Sequence, residues 1–216
     1  AINVNSSAKI TAEGEPWNYI IFTAPGDTGC GEYLSGPTPT AGYYSRAIDI
    51  NGGSTQSIIK YCKIAYADIG IEVQSCNLAN AILDNIIYKC NTGINFLNNA
   101  QTQVINNLIT ECTNYGINVS ALEGTFGFYS NTIDQCGTCI YVFGDEGYPT
   151  VNIEDTIISN WTTYGVAVGM SPVMNVSYIS YYPINNPDTW KSSGFTAGNE
   201  IDGLAYSPYD GDSIID

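Results

Sequence analysis

Apolar residues recur along this chain with a fixed period. Ile48, Ile71, Ile94, Ile117 and Ile140 are each 23 residues apart, and two residues after each comes Ile50, Val73, Phe96, Val119 and Val142 in turn. After a three-residue insertion the pair returns as Val166 and Val168. Residues i and i+2 of a strand share a face, so each pair predicts a short strand with both side chains inward. Asp49, Glu72, Asn95, Asn118 and Tyr141, between the pairs, are predicted to point outward. Gly70, Gly93, Gly116 and Gly165 precede four of the pairs and read as corners where the backbone turns with positive φ; Ala47 and Cys139 replace them in two others.

A second ladder runs beside the first. N-x-I-x-x-C occurs as Asn85-Ile87-Cys90, Asn107-Ile109-Cys112 and Asn131-Ile133-Cys136, with looser copies at Cys62-Ile64-Ala67 and Asp155-Ile157-Asn160. Asn stacked at a corner satisfies backbone groups that a bend leaves unpaired, and bonds to the next Asn along the axis. A period between 20 and 50 residues is the mark of a solenoid. About 23 residues cannot hold two strands, two loops and a crossover helix. The leucines of a leucine-rich repeat are missing too, with β-branched residues and Asn in the repeated sites. The expected fold is therefore all-β, a solenoid of about seven coils of roughly 23 residues. One domain over 1–216 is expected: an N-terminal coil with a long loop (1–46), regular coils (47–169) and an irregular C-terminal coil or cap (170–216).

Composition agrees with strands and narrows the partners. The 216 residues are 44% hydrophobic, and 22 Gly and 9 Pro are spread along the chain as turn formers rather than gathered in a linker. Six Lys plus Arg against 21 Asp plus Glu give a formal charge of −15, which repels phosphate backbones and anionic membranes, so neither nucleic acid nor direct membrane insertion is expected. No apolar run is long enough for a membrane helix, and Ala1 is not followed by the pattern of a signal peptide, which reads as a mature or excised chain. Seven Cys without His and without paired C-x-x-C spacing argue against a zinc finger.

These residues resemble the right-handed parallel β-helix repeat proteins, which share their fold with pectate lyases and include many bacterial and archaeal surface proteins. Ala8 to Gly14 followed by Tyr19 to Thr23 looks like the opening coil of that group, and the Gly/Pro/Thr-rich stretch 24–42 is similar to the variable loop that follows it. Gly198 to Asp202 and Pro208 to Asp212 resemble its closing segment, with a departure at Gly203, where Pro is usual. The resemblance implies a right-handed parallel β-helix in an extracellular or cell-surface setting. It implies no chemistry, because the scaffold carries lyases, glycosidases, phage spikes and adhesins alike.

Function is therefore read from candidate sites. The expectation is a non-catalytic structural or adhesive module that contacts other cell-surface or filament chains or polysaccharide; a polysaccharide lyase or glycoside hydrolase is the alternative. No cofactor is required by any motif. Asp210-Gly211-Asp212 suits an oxygen-rich calcium loop, so Asp210 and Asp212 are the candidate calcium ligands. Tyr181, Tyr182 and Trp190 are candidates for stacking on sugar rings, against the plainer role of covering the end of the coil stack. Arg46, Lys60, Lys63 and Lys89 read as solvated surface charges, and Asp145-Glu146 as an acidic turn. Cys90, Cys112 and Cys136 share one register and read as inward-facing free thiols, with an axial bridge between coils as the lesser alternative, while a Cys30–Cys76 bridge across an early loop is left open. Sequons begin at Asn5, Asn118, Asn160 and Asn175.

Overall fold

The computed structural model describes residues 1–5, 8–30, 36–52, 57–98, 100–144, 149–169, 172–182 and 201–202. The chain winds through three parallel sheets in turn. From Ala67 a single turn runs through Ala67–Gln74 in the first sheet, Asn77–Leu83 in the second and Ile86–Tyr88 in the third, and Thr92–Leu97 then re-enters the first. Among the described residues the sheets stack seven, eight and seven strands. The first contains Ile2–Asn5, Tyr44–Asn51, Ala67–Gln74, Thr92–Leu97, Tyr115–Ala121, Thr138–Gly144 and Tyr164–Gly169.

The period-23 isoleucines lie directly over one another. Ile48 pairs with Ile71, Ile71 with Ile94, Ile94 with Ile117, Ile117 with Ile140 and Ile140 with Val166, all in parallel register. All six are fully buried, as are Ile50, Val73, Phe96, Val119 and Val142 two residues on. The third sheet adds the column Ile64, Ile87, Ile109, Ile133 and Ile158, and the second adds Ile59, Ile82, Val104, Phe128 and Ile153. These columns form one continuous core cluster, and each such side chain contributes about 1.5–3 kcal/mol by leaving water. Five turns keep the repeat, with register steps of 23 residues from Ile48 to Ile140 and 26 to Val166, but the first step, from Ile2 to Ile48, spans 46. The count is thus five regular turns, where the sequence led to about seven coils in all.

The stacked asparagines are where the spacing put them. Asn107 Oδ1 accepts the Asn85 backbone N–H at 2.9 Å and its Nδ2 at 2.9 Å, while Asn107 Nδ2 donates to the carbonyls of Ile82 (3.1 Å) and Ile105 (3.0 Å) and to Asn131 Oδ1 (3.1 Å). Before each ladder position stands a residue in the left-handed region: Tyr61, Asp84, Asn106, Ser130, Asp155 and Tyr178. A second left-handed row, Tyr66, Lys89, Glu111, Gln135 and Asn160, directly follows the five middle strands of the third sheet, from Cys62–Ala65 to Ile157–Ser159. Outside Gly this conformation costs on the order of 1 kcal/mol, and the ladder bonds hold it in place.

Two expectations are corrected. The last copy of the ladder is shifted by one: Thr156 takes the Asn place, its Oγ1 lying 3.4 Å from the Asn131 N–H, and Ile158, not Ile157, pairs with Ile133. Ile157 is left 41% exposed, because a one-residue shift moves a strand side chain to the opposite face. The second correction concerns the glycines. Gly70, Gly93 and Gly116 do not have positive φ; they are buried within strands where space is short. A Cβ on each would lie 2.6 Å from the carbonyl oxygen of the equivalent residue one turn on.

Candidate functional site

The outer face of the first sheet is a grid set by the strand register. One column reads Asp49, Glu72, Asn95, Asn118 and Tyr141; a second reads Arg46, Ile69, Thr92, Tyr115, Thr138 and Tyr164; a third reads Asn51, Gln74, Leu97, Ser120, Phe143 and Gly169. The first column was expected to point outward, and it does, yet Glu72 is only 1% exposed. Its carboxylate is enclosed by partners: Arg46 Nε 2.8 Å from Oε1 in an ion pair poorly aligned for a linear hydrogen bond, Gln74 Nε2 donating to Oε1 at 2.5 Å and Asn95 Nδ2 donating to Oε2 at 2.9 Å. Asn118 Nδ2 continues the chain to Asn95 Oδ1 at 2.7 Å. Asn118 Oδ1, beside Tyr141 in the register, has no hydrogen-bond partner among the described residues.

At that end the face becomes aromatic. Tyr115 stacks on Tyr141 with ring centroids 5.2 Å apart and 25° between planes, and Tyr141 on Phe143 at 6.5 Å and 11°. Gly169 gives the last ring room, since a Cβ there would meet Phe143 Cδ2 at 2.8 Å and the Tyr141 hydroxyl at 3.3 Å. All three rings are half-buried, and burial, with the neighbouring Tyr115, raises the Tyr141 hydroxyl above the ordinary tyrosine range. A hydrogen-bonded polar ladder thus runs into a stacked aromatic shelf, which suits a ligand with both hydroxyls and apolar C–H faces. Reading the sequence for outward positions found the first column alone; it missed the shelf because Tyr115, Tyr141 and Phe143 sit in three different columns, adjacent only once turns stack.

The residues singled out from the sequence fall elsewhere. Tyr181 is half-buried, packs on the core and lies 6.4 Å from Trp161, ring to ring; Tyr182 is in the strand Ser180–Tyr182. Trp190, Asp210, Asp212, Asp145 and Glu146 lie outside the described residues. Among the described residues no group of three or more Cys, Asp or Glu is placed to hold a metal. The basic side chains are partnered rather than simply solvated: Lys60 with Asp84 at 3.6 Å and over the Tyr61 ring, Lys89 with Glu111 at 3.8 Å, Lys63 over the Tyr88 ring and Arg46 with Glu72. All seven cysteines are free thiols, so Cys30 and Cys76 do not pair. Cys30 instead approaches the Tyr88 hydroxyl at 4.0 Å, beside the small cluster of Ala24, Ala65 and Tyr66.

Three parallel sheets wound by one chain, with a stacked core and corner asparagines, define a parallel β-solenoid. The chain belongs to the right handed beta helix region family, whose model matches residues 42–179. Comparison with curated proteins gave no match, and comparison with solved structures gave none either.

Proposed function

We propose that this domain is a non-catalytic adhesive module of an extracellular or cell-surface protein, binding neutral polysaccharide along the outer face of the first sheet. The observation that carries the reading is the Tyr115–Tyr141–Phe143 shelf in line with the Asn118–Asn95–Glu72 ladder. Sugar rings stack on aromatic faces through their C–H groups while amides exchange hydrogen bonds with the hydroxyls. The formal charge of −15 favours neutral over acidic glycans. The Asp49 and Glu72 carboxylates stand on adjacent turns, the arrangement a hydrolase would use, but Glu72 is enclosed by three partners and acts as a structural tie.

Titration calorimetry with neutral and acidic oligosaccharides tests this. Neutral chains are expected to bind, and Tyr141→Ala to weaken them about tenfold or more, in line with the ~0.5–1.5 kcal/mol of an aromatic contact plus its lost area. Unchanged affinity in a folded Tyr141→Ala protein removes the shelf from the site. Release of new reducing ends or unsaturated sugars from the same mixtures replaces binding with catalysis.

A further inference from the structure

Among the described residues, the two most exposed large apolar side chains stand at one corner, where the second sheet turns into the third. Trp17 is 96% exposed and Tyr178 66%. Trp17 is held out on a two-residue turn at φ 70°, closed by the Glu15 N–H on the Asn18 carbonyl at 3.1 Å and the Asn18 N–H on the Glu15 carbonyl at 2.9 Å. That left-handed backbone is strained for a bulky residue, and within one chain Trp17 gains no burial to offset it. Along the third-sheet flank of the corner, successive turns read Ile21, Lys63, Ile86, Leu108, Thr132 and Ile157, then Ser180. Ile21, Leu108 and Ile157 are exposed. Along the second-sheet flank they read Glu13, Lys60, Leu83, Ile105, Tyr129 and Glu154, then Ser177.

Both columns have the same centre. Ile105 and Leu108 stand on the fourth of these seven turns, with Trp17 at the first and Tyr178 at the seventh. Lys60 and Lys63 lie two turns before the centre, and Glu154 and Asp155 two turns after it. Reversing the order of turns therefore lays Trp17 on Tyr178, Lys60 on Glu154 and Leu83 on Tyr129, while Ile105 and Leu108 fall on themselves. Glu13 then meets Ser177 and Asp84 meets Ser130, so no like charges are opposed. Keeping the order instead sets Lys60, Lys63, Glu154 and Asp155 each against its own copy, which like-charge repulsion disfavours. A surface that matches itself only when reversed is the pattern of an isologous contact.

We infer that two copies of this chain pair side by side and antiparallel along this corner, with the twofold axis at Leu108. Glu154 and Asp155 have no ion-pair partner among the described residues of their own chain, and Lys60, which holds Asp84 at 3.6 Å, receives Glu154 of the other copy as a second carboxylate. Seven turns at ~4.8 Å give a strip ~29 Å long, and at about 15 Å wide it buries on the order of 1,000 Å² over both copies, the lower bound for a specific interface. Repulsion between the two acidic bodies is screened beyond roughly 8 Å at physiological ionic strength. The first sheet takes no part in this corner, so its outer face stays open in the pair, and the inference does not rest on the binding proposed for that face.

Sedimentation equilibrium of the full chain at physiological salt, from about 1 to 500 µM, tests this. The mass is expected to rise from 23.3 kDa toward twice that value, with a midpoint in the tens of micromolar, roughly. Leu108→Asp places two carboxylates face to face at the axis and is expected to leave a monomer with wild-type melting. Glu154→Lys, which faces Lys60 of the other copy, is expected to weaken pairing about tenfold or more, and Lys60→Glu combined with Glu154→Lys to restore it. A general charge effect runs the other way, since Glu154→Lys alone makes the chain less acidic. A 23.3 kDa species at every concentration, or pairing that Leu108→Asp leaves intact, overturns the inference. Pairing that Glu154→Lys strengthens, or that the double reversal does not restore, overturns the antiparallel order.

Discussion

At Asn107 one buried amide ties three turns together. It accepts two N–H groups of Asn85 and donates to two carbonyls and to Asn131. Asn107→Ala strands several of these groups in a place without water, at ~1–3 kcal/mol for each unsatisfied one. The expected loss is about 2–5 kcal/mol, or a melting temperature lower by roughly 10 °C in a thermal scan. Asn131→Thr, which copies Thr156 one turn later, is expected to lose less than half as much. This ladder was legible because Asn recurs at one offset from Ile and Cys. Its last step was not, since Asp155 sits one place early and Thr156 does the work of Asn. The same scale sets the alkaline limit. Burial raises Cys62 and Cys76 to about 11 and Cys90 to about 12 in the folded chain, above the ordinary thiol value. Their contribution is therefore complete below the unfolded value and is lost as pH rises from about 9 through the folded values. Denaturant midpoints measured with the thiols reduced are expected to fall steadily over that interval, and Cys62→Ala to flatten the fall.

The strands of the first sheet could be read because a period of two, repeated every 23 residues, fixes both the face and the register of each strand. The glycines preceding the inward pairs were legible as special but not in their role. Sequence marks Gly as a residue of unusual backbone freedom, whereas Gly93 is needed because the next turn passes too close for a side chain. A Cβ there would lie 2.6 Å from the Gly116 carbonyl oxygen and 2.8 Å from Ile109 Cγ2. Gly93→Ala is thus expected to destabilise by about 1–3 kcal/mol through overpacking, although its φ is open to alanine. A melting temperature equal to or above the wild type contradicts that close approach. The aromatic shelf belongs to this scale as well. Tyr115 and Tyr141 are 26 residues apart and in different columns, so the 23-residue period does not join them; they stand diagonally on adjacent turns, and their rings meet at 5.2 Å.

Across the whole molecule, each turn contacts chiefly its two neighbours, so the core is a set of columns rather than a centre. Aromatic shelf, asparagine ladder and the column of corner cysteines all arise from that stacking: residues that do nothing alone become a row when the register repeats. The account therefore stands on the order in which the isoleucines meet. Isoleucine methyl labelling with through-space NMR contacts measures that order directly. The expected pattern is a chain in which Ile48 touches Ile71, Ile71 touches Ile94, Ile94 touches Ile117 and Ile117 touches Ile140, without contacts that skip a turn. Contacts in another order, or methyls of Ile71, Ile94 and Ile117 that meet water instead of one another, contradict the solenoid and everything placed on it.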